Sequence, residues 1–260
     1  MANNKKNAYS SGSGFRTKEA YKSLRTNIQF LLINEKSNII VFTSANVGEG
    51  KSTTTVNTAI TMAEAGAKVL IIDADLRRPV LHKMMGIELT PGLTNLFSGT
   101  NSLREVIRPS SYPRLDLCTS GALPPNPAEL LGSEQMSKFL EIVSEKYDYV
   151  FIDTPPVNAV TDSLVLTKQV AGYIYVIRHG LTDTDSLTRA IQSAEFVDAK
   201  ILGIVLNDVK MPEGSYGKVK YGKYSSYEKY GSYYNYYSTD QDRLESAPEI
   251  KPVETPGKPE

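Results

Sequence analysis

The middle of the chain alternates short apolar runs with segments of helical spacing. Six apolar runs have the length of strands buried on both faces: 39–42, 69–72, 115–118, 149–152, 172–177 and 201–206. Three segments carry apolar residues at helical spacing: 51–65, 133–146 and 184–197. The repeated order of strand and helix predicts an α/β fold with three layers, in which a mainly parallel β-sheet is flanked by helices.

Local composition divides the chain into four zones. Residues 1–14 are polar and rich in Asn, Ser and Gly, which predicts a disordered N-terminus. Residues 15–210 hold nearly all the aliphatic periodicity and are the predicted folded domain. Residues 211–237 are rich in tyrosine and poor in aliphatic residues, and 238–260 are acidic and rich in proline. Both C-terminal zones are predicted to be flexible or solvated.

The overall composition is that of an ordinary soluble protein. The 260 residues include 29 basic and 29 acidic side chains, so nothing in the net charge points to nucleic acid as a partner. The single cysteine, Cys118, fits a reducing compartment. Because we find neither a run of 18 apolar residues nor the apolar core of a signal peptide, we expect a cytoplasmic protein.

Residues 44–53 have the features of a phosphate loop. They follow a predicted strand and open a predicted helix, which is the context that binding of a nucleoside triphosphate requires. Glycines let backbone N–H groups turn towards phosphate, Lys51 is placed to bridge the β- and γ-phosphates, and the Ser52 hydroxyl is placed for Mg²⁺. The predicted contacts are Val47, Gly48, Glu49, Gly50, Lys51, Ser52 and Thr53. A glycine turn before an ordinary helix is the alternative, but the downstream carboxylates disfavour it.

Three carboxylates follow predicted strands, namely Asp73, Asp75 and Asp153. A single aspartate at a strand end is more often a turn former or a helix cap. Three of them should meet at one edge of a parallel sheet, where ligands bind. Since Mg²⁺ prefers oxygen ligands, we assign Asp75 and Asp153, with Ser52, to the metal and its waters. Asp73 is the predicted base that accepts the proton of the attacking hydroxyl.

Arg77 and Arg78 follow these carboxylates and allow two interpretations. They contact phosphates or the acceptor, or they form a solvated pair before a helix that begins at Pro79. The sequence favours neither.

Nine tyrosines lie within 22 residues near the C-terminus: Tyr216, Tyr221, Tyr224, Tyr227, Tyr230, Tyr233, Tyr234, Tyr236 and Tyr237. The near absence of aliphatic residues excludes a packed core. Stacking on single-stranded nucleic acid and multiple phosphorylation both remain open. The neighbouring phosphate-transfer site favours phosphorylation. Four lysines and one glutamate give this segment a charge of +3, which about two phosphates would neutralise.

The chain resembles bacterial tyrosine kinases of the Gram-positive type, which regulate capsule and exopolysaccharide synthesis. The resemblance rests on Gly48 to Thr53, Asp73 to Arg77, Ile152 to Pro156 and the tyrosine segment, and on softer matches at 21–27 and 123–131. It implies ATP and Mg²⁺ as cofactors, autophosphorylation of neighbouring subunits and a ring-shaped homo-oligomer. It also implies protein substrates, a tyrosine phosphatase, and activation at the membrane by the cytoplasmic tail of a separate transmembrane protein.

Family precedent places the adenine base near Asn207 and Asp208, with Arg178 as a further candidate. Subunit contact in the family uses a Glu-Arg-Arg set at three-residue spacing. Here the set is Glu19, Lys22 and Arg25. Because lysine lacks the bidentate fork of arginine, the comparison with the family predicts a weaker or differently built ring.

Two rival functions are compatible with the phosphate loop. Switch ATPases of the partitioning and cell-division type, such as MinD and ParA, share the predicted fold but carry an extra lysine early in the loop. The stretch Ala45 to Val47 has none. A catalytically idle adaptor is disfavoured because every expected carboxylate is present.

Overall fold

The computed structural model describes residues 15–209. The predictions for residues 1–14, for the tyrosine segment and for the acidic C-terminus therefore lie outside the described residues. Among those described, no helix is both long and apolar enough to cross a membrane.

Seven strands form one sheet in the order β3-β4-β2-β5-β1-β6-β7. Every neighbouring pair is parallel except β3 with β4, which is antiparallel. In chain order the strands are β1 Ile39–Ser44, β2 Val69–Asp73, β3 Ile107–Pro109, β4 Leu115–Cys118, β5 Tyr149–Asp153, β6 Gly172–Arg178 and β7 Ile201–Asn207.

Eight α-helices and one 3-10 helix connect or flank these strands within the described range. The α-helices are α1 Phe15–Leu32, α2 Lys51–Glu64, α3 Leu81–Met85, α4 Leu93–Phe97, α5 Leu103–Val106, α6 Pro127–Leu131, α7 Glu134–Ser144 and α8 Thr184–Phe196, and the 3-10 helix is Leu164–Gln169. Helix α7 begins where Ser133 accepts a hydrogen bond from the N–H of Met136, the usual role of an N-cap serine.

Apolar side chains fill both faces of the sheet. On one face, residues of α1 and α2 such as Ile28 and Ile60 pack against Phe42 and Phe151. On the other face, residues of α7 and α8 such as Phe139 pack with strand residues such as Ile152. Because β1, β2 and most of β5 are buried on both faces, their sequences are continuous apolar runs rather than alternating ones.

The three-layer prediction is confirmed, and all six predicted strands are present. The structure adds the short strand β3 and the short helices α3 to α6, whose three to five residues are too few to show a periodicity. The helix expected from Pro79 begins instead at Leu81.

The carboxyl ends of the parallel strands form one edge of the sheet, and the strand order determines which site residues are neighbours along it. The phosphate loop follows β1, which lies between β5 and β6. Asp153 ends β5 on one side of it and Asp73 ends β2 beyond, while Arg178 and Asn207 end β6 and β7 on the other side. The candidate residues therefore form a row along this edge.

Candidate active site

The phosphate loop joins β1 to α2 with two glycines in the left-handed region. Gly48 has φ of 83° and Gly50 has φ of 91°. Gly50 directly precedes α2, so the first N–H groups of the helix are directed at the loop. This is the backbone geometry that the sequence predicted for a phosphate cradle.

Glu49 is directed into the protein. Its carboxylate accepts a hydrogen bond from the backbone N–H of Asn46 at 2.8 Å and another from the hydroxyl of Thr182 at 2.5 Å. The residue is 1% exposed. The side chain thus ties the phosphate loop to the segment after β6, and a nucleotide contact would come from its backbone. Thr182 carries no motif by which the sequence could have identified it.

Lys51 lies between two of the predicted carboxylates. Its Nζ is 3.2 Å from Oδ2 of Asp75 and 3.5 Å from Oδ2 of Asp153, and the Ser52 hydroxyl donates to Asp153 at 2.5 Å. Burial alone would lower the pKa of Lys51, but the negative charges of Asp153 and Asp75 outweigh it and raise that pKa. The lysine is therefore cationic at any physiological pH.

Asp73 lies beside Asp153, because the two residues are in register on neighbouring strands. It has no exposed surface, and one oxygen accepts a hydrogen bond from the N–H of Leu81 at 3.1 Å. Burial, followed by repulsion from Asp153, raises the pKa of Asp73 from 3.8 to about 8. This carboxyl therefore titrates close to neutral pH.

The donor set fits a hard divalent cation. Among the described residues, Oδ1 of Asp153 is buried without a hydrogen-bond partner, and the Ser52 hydroxyl lies beside this carboxylate. Within residues 15–209, no group of three or more His, Cys, Asp or Glu side chains could hold a metal by itself. Mg²⁺ usually takes one or two carboxylates and completes its shell with water and phosphate oxygens, so Ser52 and Asp153 have the chemistry to contribute to its shell.

The three residues predicted near adenine converge on the phosphate loop. Asn207 donates from Nδ2 to the carbonyl of Glu49 at 3.0 Å. Arg178 forms an ion pair with Asp208 at 2.8 Å and donates to the carbonyl of Gly48 at 3.3 Å. The ends of β6 and β7 are thus bonded to the loop. Their contact with adenine itself remains a prediction.

Arg77 pairs with a carboxylate that the sequence did not suggest, and its contact with phosphates or with the acceptor remains a prediction. It forms a two-point ion pair with Asp162, with Nε to Oδ2 at 2.8 Å and Nη2 to Oδ1 at 3.1 Å. Sequence reasoning missed Asp162, which lies in the loop after β5. No motif or spacing marks Asp162 in the sequence.

The predicted oligomerisation set lies on α1. Lys22 pairs with Glu19 at 2.5 Å, and Arg25 donates to the carbonyl of Thr61 on α2 at 3.2 Å. The charges of Glu19 and Lys22 are therefore paired within one chain. A role in subunit contact remains a prediction.

Replacing Gly50 with Ala is expected to weaken nucleotide binding at least about tenfold, since a misplaced polar contact costs more than about 1 kcal/mol. A Cβ at Gly50 would lie 2.0 Å from Nδ2 of Asn207, so this side chain must turn away and lose its hydrogen bond to the carbonyl of Glu49. Titration with a fluorescent ATP analogue measures the effect.

The matched control is Gly66→Ala. Gly66 has a similar φ of 95°, but nothing lies within 4 Å of an added Cβ. This variant should lose about 1 kcal/mol of stability from backbone strain and keep its nucleotide affinity. Equal affinities for the two variants would contradict the importance of the contact with Asn207.

Fold and site together define a P-loop nucleotide-binding protein. Residues 37–195 match a family model described as an AAA domain. The septum site-determining protein MinD from Pyrococcus horikoshii, solved with Mg-ADP, superposes with a TM-score of 0.56 at 22% identity, over 65% of this chain and 69% of that one. That likeness concerns the fold alone.

Closer relatives identify the family. The tyrosine-protein kinase YwqD of Bacillus subtilis is 40% identical over 200 residues, which are 76% of this chain and 84% of that protein. The kinase domain of the Escherichia coli tyrosine kinase ETK has a TM-score of 0.73 and 33% identity, over 80% of each chain. The chain belongs to the bacterial tyrosine-protein kinases and is a protein-tyrosine kinase.

Proposed function

We propose that this kinase transfers the γ-phosphate of Mg²⁺-bound ATP to tyrosines 216–237 of a neighbouring copy, and that this autophosphorylation regulates capsular or exopolysaccharide synthesis. The observation that carries the proposal is the convergence of Lys51, Ser52, Asp75 and Asp153 around one point beside the phosphate loop.

Each residue of this group has a proposed role. Lys51 and the backbone of residues 47–53 hold the phosphates, where a cation stabilises the charge that develops on the transferred group. Ser52, Asp75 and Asp153 hold Mg²⁺, which neutralises phosphate charge when bound. Asn207, Asp208 and Arg178 surround the base.

The transfer step is a displacement at phosphorus. The tyrosine oxygen forms a bond to the γ-phosphorus while the bond to the bridging oxygen breaks, and ADP leaves with that electron pair. The hydroxyl proton passes to Asp73, the proposed base. Asp73 has no exposed surface whereas Asp75 is 6% exposed, so variants of both residues are needed to establish this assignment.

The remaining proposals concern partners, and they rest on the family resemblance. The cytoplasmic tail of a separate transmembrane protein activates the kinase and recruits it to the inner face of the membrane. Copies of the chain assemble into a ring through Glu19, Lys22 and Arg25. A tyrosine phosphatase reverses the modification, and other proteins are further substrates.

We expect phosphotyrosine to appear in residues 216–237 when the purified chain is incubated with Mg²⁺-ATP. Two parallel reactions are compared, one without membranes and one with membranes of the native bacterium, which supply the proposed activating partner. Replacing all nine tyrosines with Phe should abolish that signal without changing nucleotide affinity. Mass spectrometry of the digested chain locates the phosphotyrosine, and titration with a fluorescent ATP analogue measures the affinity. Phosphate confined to other tyrosines would refute the acceptor assignment. ATP hydrolysis without any phosphotyrosine would favour the switch ATPase.

A mixing experiment tests transfer between copies. The nine-Phe chain retains a working site but no acceptor, whereas a Lys51→Met chain retains the acceptor but no working site. Phosphotyrosine on the Lys51→Met chain requires transfer between molecules. Its absence, when the wild-type chain modifies itself, would show transfer within one molecule.

A further inference from the structure

Asp162 and Arg77 connect two loops that the proposed mechanism uses separately. Arg77 lies two residues after Asp75, in the loop that follows β2, and Asp162 lies nine residues after Asp153, in the loop that follows β5. Both carboxylate oxygens of Asp162 accept from the guanidinium, at 2.8 and 3.1 Å. A two-point pair of this kind fixes the plane of the guanidinium as well as its position.

The two side chains differ in exposure. The Asp162 side chain is 1% exposed, whereas that of Arg77 is 44% exposed. A buried carboxylate is costly to maintain, and replacing such a pair with apolar side chains often stabilises a protein. A contribution to stability is therefore a weak explanation for this pair. The better explanation is that Asp162 fixes the orientation of the half-exposed Arg77.

The strand order shows which end of the nucleotide this arginine lies near. Along the carboxyl edge, Asn207 and Arg178 come first, then the phosphate loop, then Asp153, and finally Asp75 with Arg77. A nucleotide with its base near Asn207 and its phosphates on the loop directs the γ-phosphate towards β5 and β2. Since attacking and leaving oxygens are roughly in line in phosphoryl transfer, the acceptor must approach from that end.

We propose that Asp162 is a positioning residue that holds Arg77 at the acceptor end of the site, where the guanidinium orients the incoming tyrosine segment against the γ-phosphate. The proposal rests on the proposed function, because it takes tyrosine as the acceptor. Within the described part of the chain, Nη1 of Arg77 makes no hydrogen bond, so one edge of the guanidinium is available to an acceptor or to the transferred phosphoryl group.

Three variants separate positioning from stability. Asp162→Asn removes the charge that orients Arg77, and Arg77→Lys keeps the positive charge but loses the fork. The double variant Asp162→Asn with Arg77→Gln replaces the ion pair with two neutral amides and leaves no unpaired buried charge. For each variant we would measure Tm, affinity for a fluorescent ATP analogue with Mg²⁺, ATP hydrolysis, and kcat and KM for phosphorylation of a peptide with the sequence of residues 216–237. All assays include membranes of the producing cells.

In all three variants we expect kcat/KM for the peptide to fall by about 100-fold, the scale of a misplaced reacting group, while nucleotide affinity stays within about threefold. ATP hydrolysis should fall far less than tyrosine phosphorylation, since water needs no orienting arginine. The double variant should recover Tm without recovering transfer. Glu134→Gln, which breaks the exposed pair of Glu134 with Lys138 on α7, is the control and should change none of these quantities.

Two outcomes would overturn the inference. If the double variant regains transfer together with Tm, the pair serves stability alone. If nucleotide affinity falls in parallel with transfer, Arg77 acts on the nucleotide and not on the acceptor. A wild-type chain that hydrolyses ATP but phosphorylates no tyrosine would instead contradict the proposed function, so the two failures are distinguishable.

Discussion

Replacing Lys51 with Met is expected to lower tyrosine phosphorylation by about 100- to 1,000-fold, the cost of removing one preorganised charge from a transition state. Methionine keeps the length of the side chain but removes the cation that lies 3.2 Å from Asp75 and 3.5 Å from Asp153. The γ-phosphate then loses the group that offsets its developing charge. Rates of phosphotyrosine formation at saturating ATP measure the loss in kcat.

Lys138→Met is the matched control, since Lys138 pairs only with Glu134 among the contacts described for it, on the exposed face of α7. It should leave the rate unchanged, because an exposed pair of this type contributes well under about 1 kcal/mol. A Lys51→Met chain that retained more than a tenth of the wild-type rate would show that the phosphates are held by the backbone alone.

The second large effect concerns pH and Asp73. A base must be ionised, and burial raises the pKa of Asp73 from 3.8 to about 8. The ionised fraction of the free enzyme therefore grows as the pH rises through about 8, and we expect kcat/KM for Mg²⁺-ATP to increase by up to about tenfold per pH unit below that value before it levels off. Asp73→Asn should remove this dependence and lower kcat about 100- to 10,000-fold, the usual contribution of a general base.

The same pKa shift makes a second measurement possible. Between pH 3.8 and about 8, the folded chain binds a proton at Asp73 that the unfolded chain has released, so the free energy of unfolding declines as the pH rises through this window. Asp73→Asn removes this contribution. The Tm of the nucleotide-free wild type should thus fall relative to that of the variant between pH 5 and pH 8.

Asp75→Asn provides the comparison. If Asp73→Asn transferred phosphate at the full rate while still binding Mg²⁺-ATP, the base assignment would be wrong. Asp75, which is more exposed, would then be the candidate. If both variants lost nucleotide affinity, the two carboxylates would serve binding rather than proton transfer.

The sequence predicted what depends on local pattern. The strands β1, β2 and β5 are apolar runs because both of their faces are buried, so the run itself revealed the parallel sheet. The phosphate loop was visible because a tight glycine turn, a lysine and a serine occupy consecutive positions. Asp73 and Asp153 could be placed together because strands in one parallel sheet end at one edge.

What the sequence did not predict depends on distant contacts. Asp162 meets Arg77 across 85 positions, and Thr182 meets Glu49 across 133. Neither partner is marked by spacing or by composition, since each contact arises only when two loops are brought side by side. The pKa of Asp73 was equally inaccessible, because it is set by the degree of burial and by Asp153 on the neighbouring strand.

The position of Asn207 at the end of β7 also determines how much chain separates the sheet from the first tyrosine of the C-terminal segment. The segment that carries the tyrosines leaves the sheet at the base end of the row, four strand intervals from β2. At about 4.8 Å per interval this is about 19 Å. Tyr216 is nine residues from Asn207, which is at most about 32 Å of extended chain. By contour length alone, nine residues are enough to span the distance from Asn207 to the end of β2. The proposed transfer between copies therefore competes with transfer within one chain, and the mixing experiment measures the balance between the two.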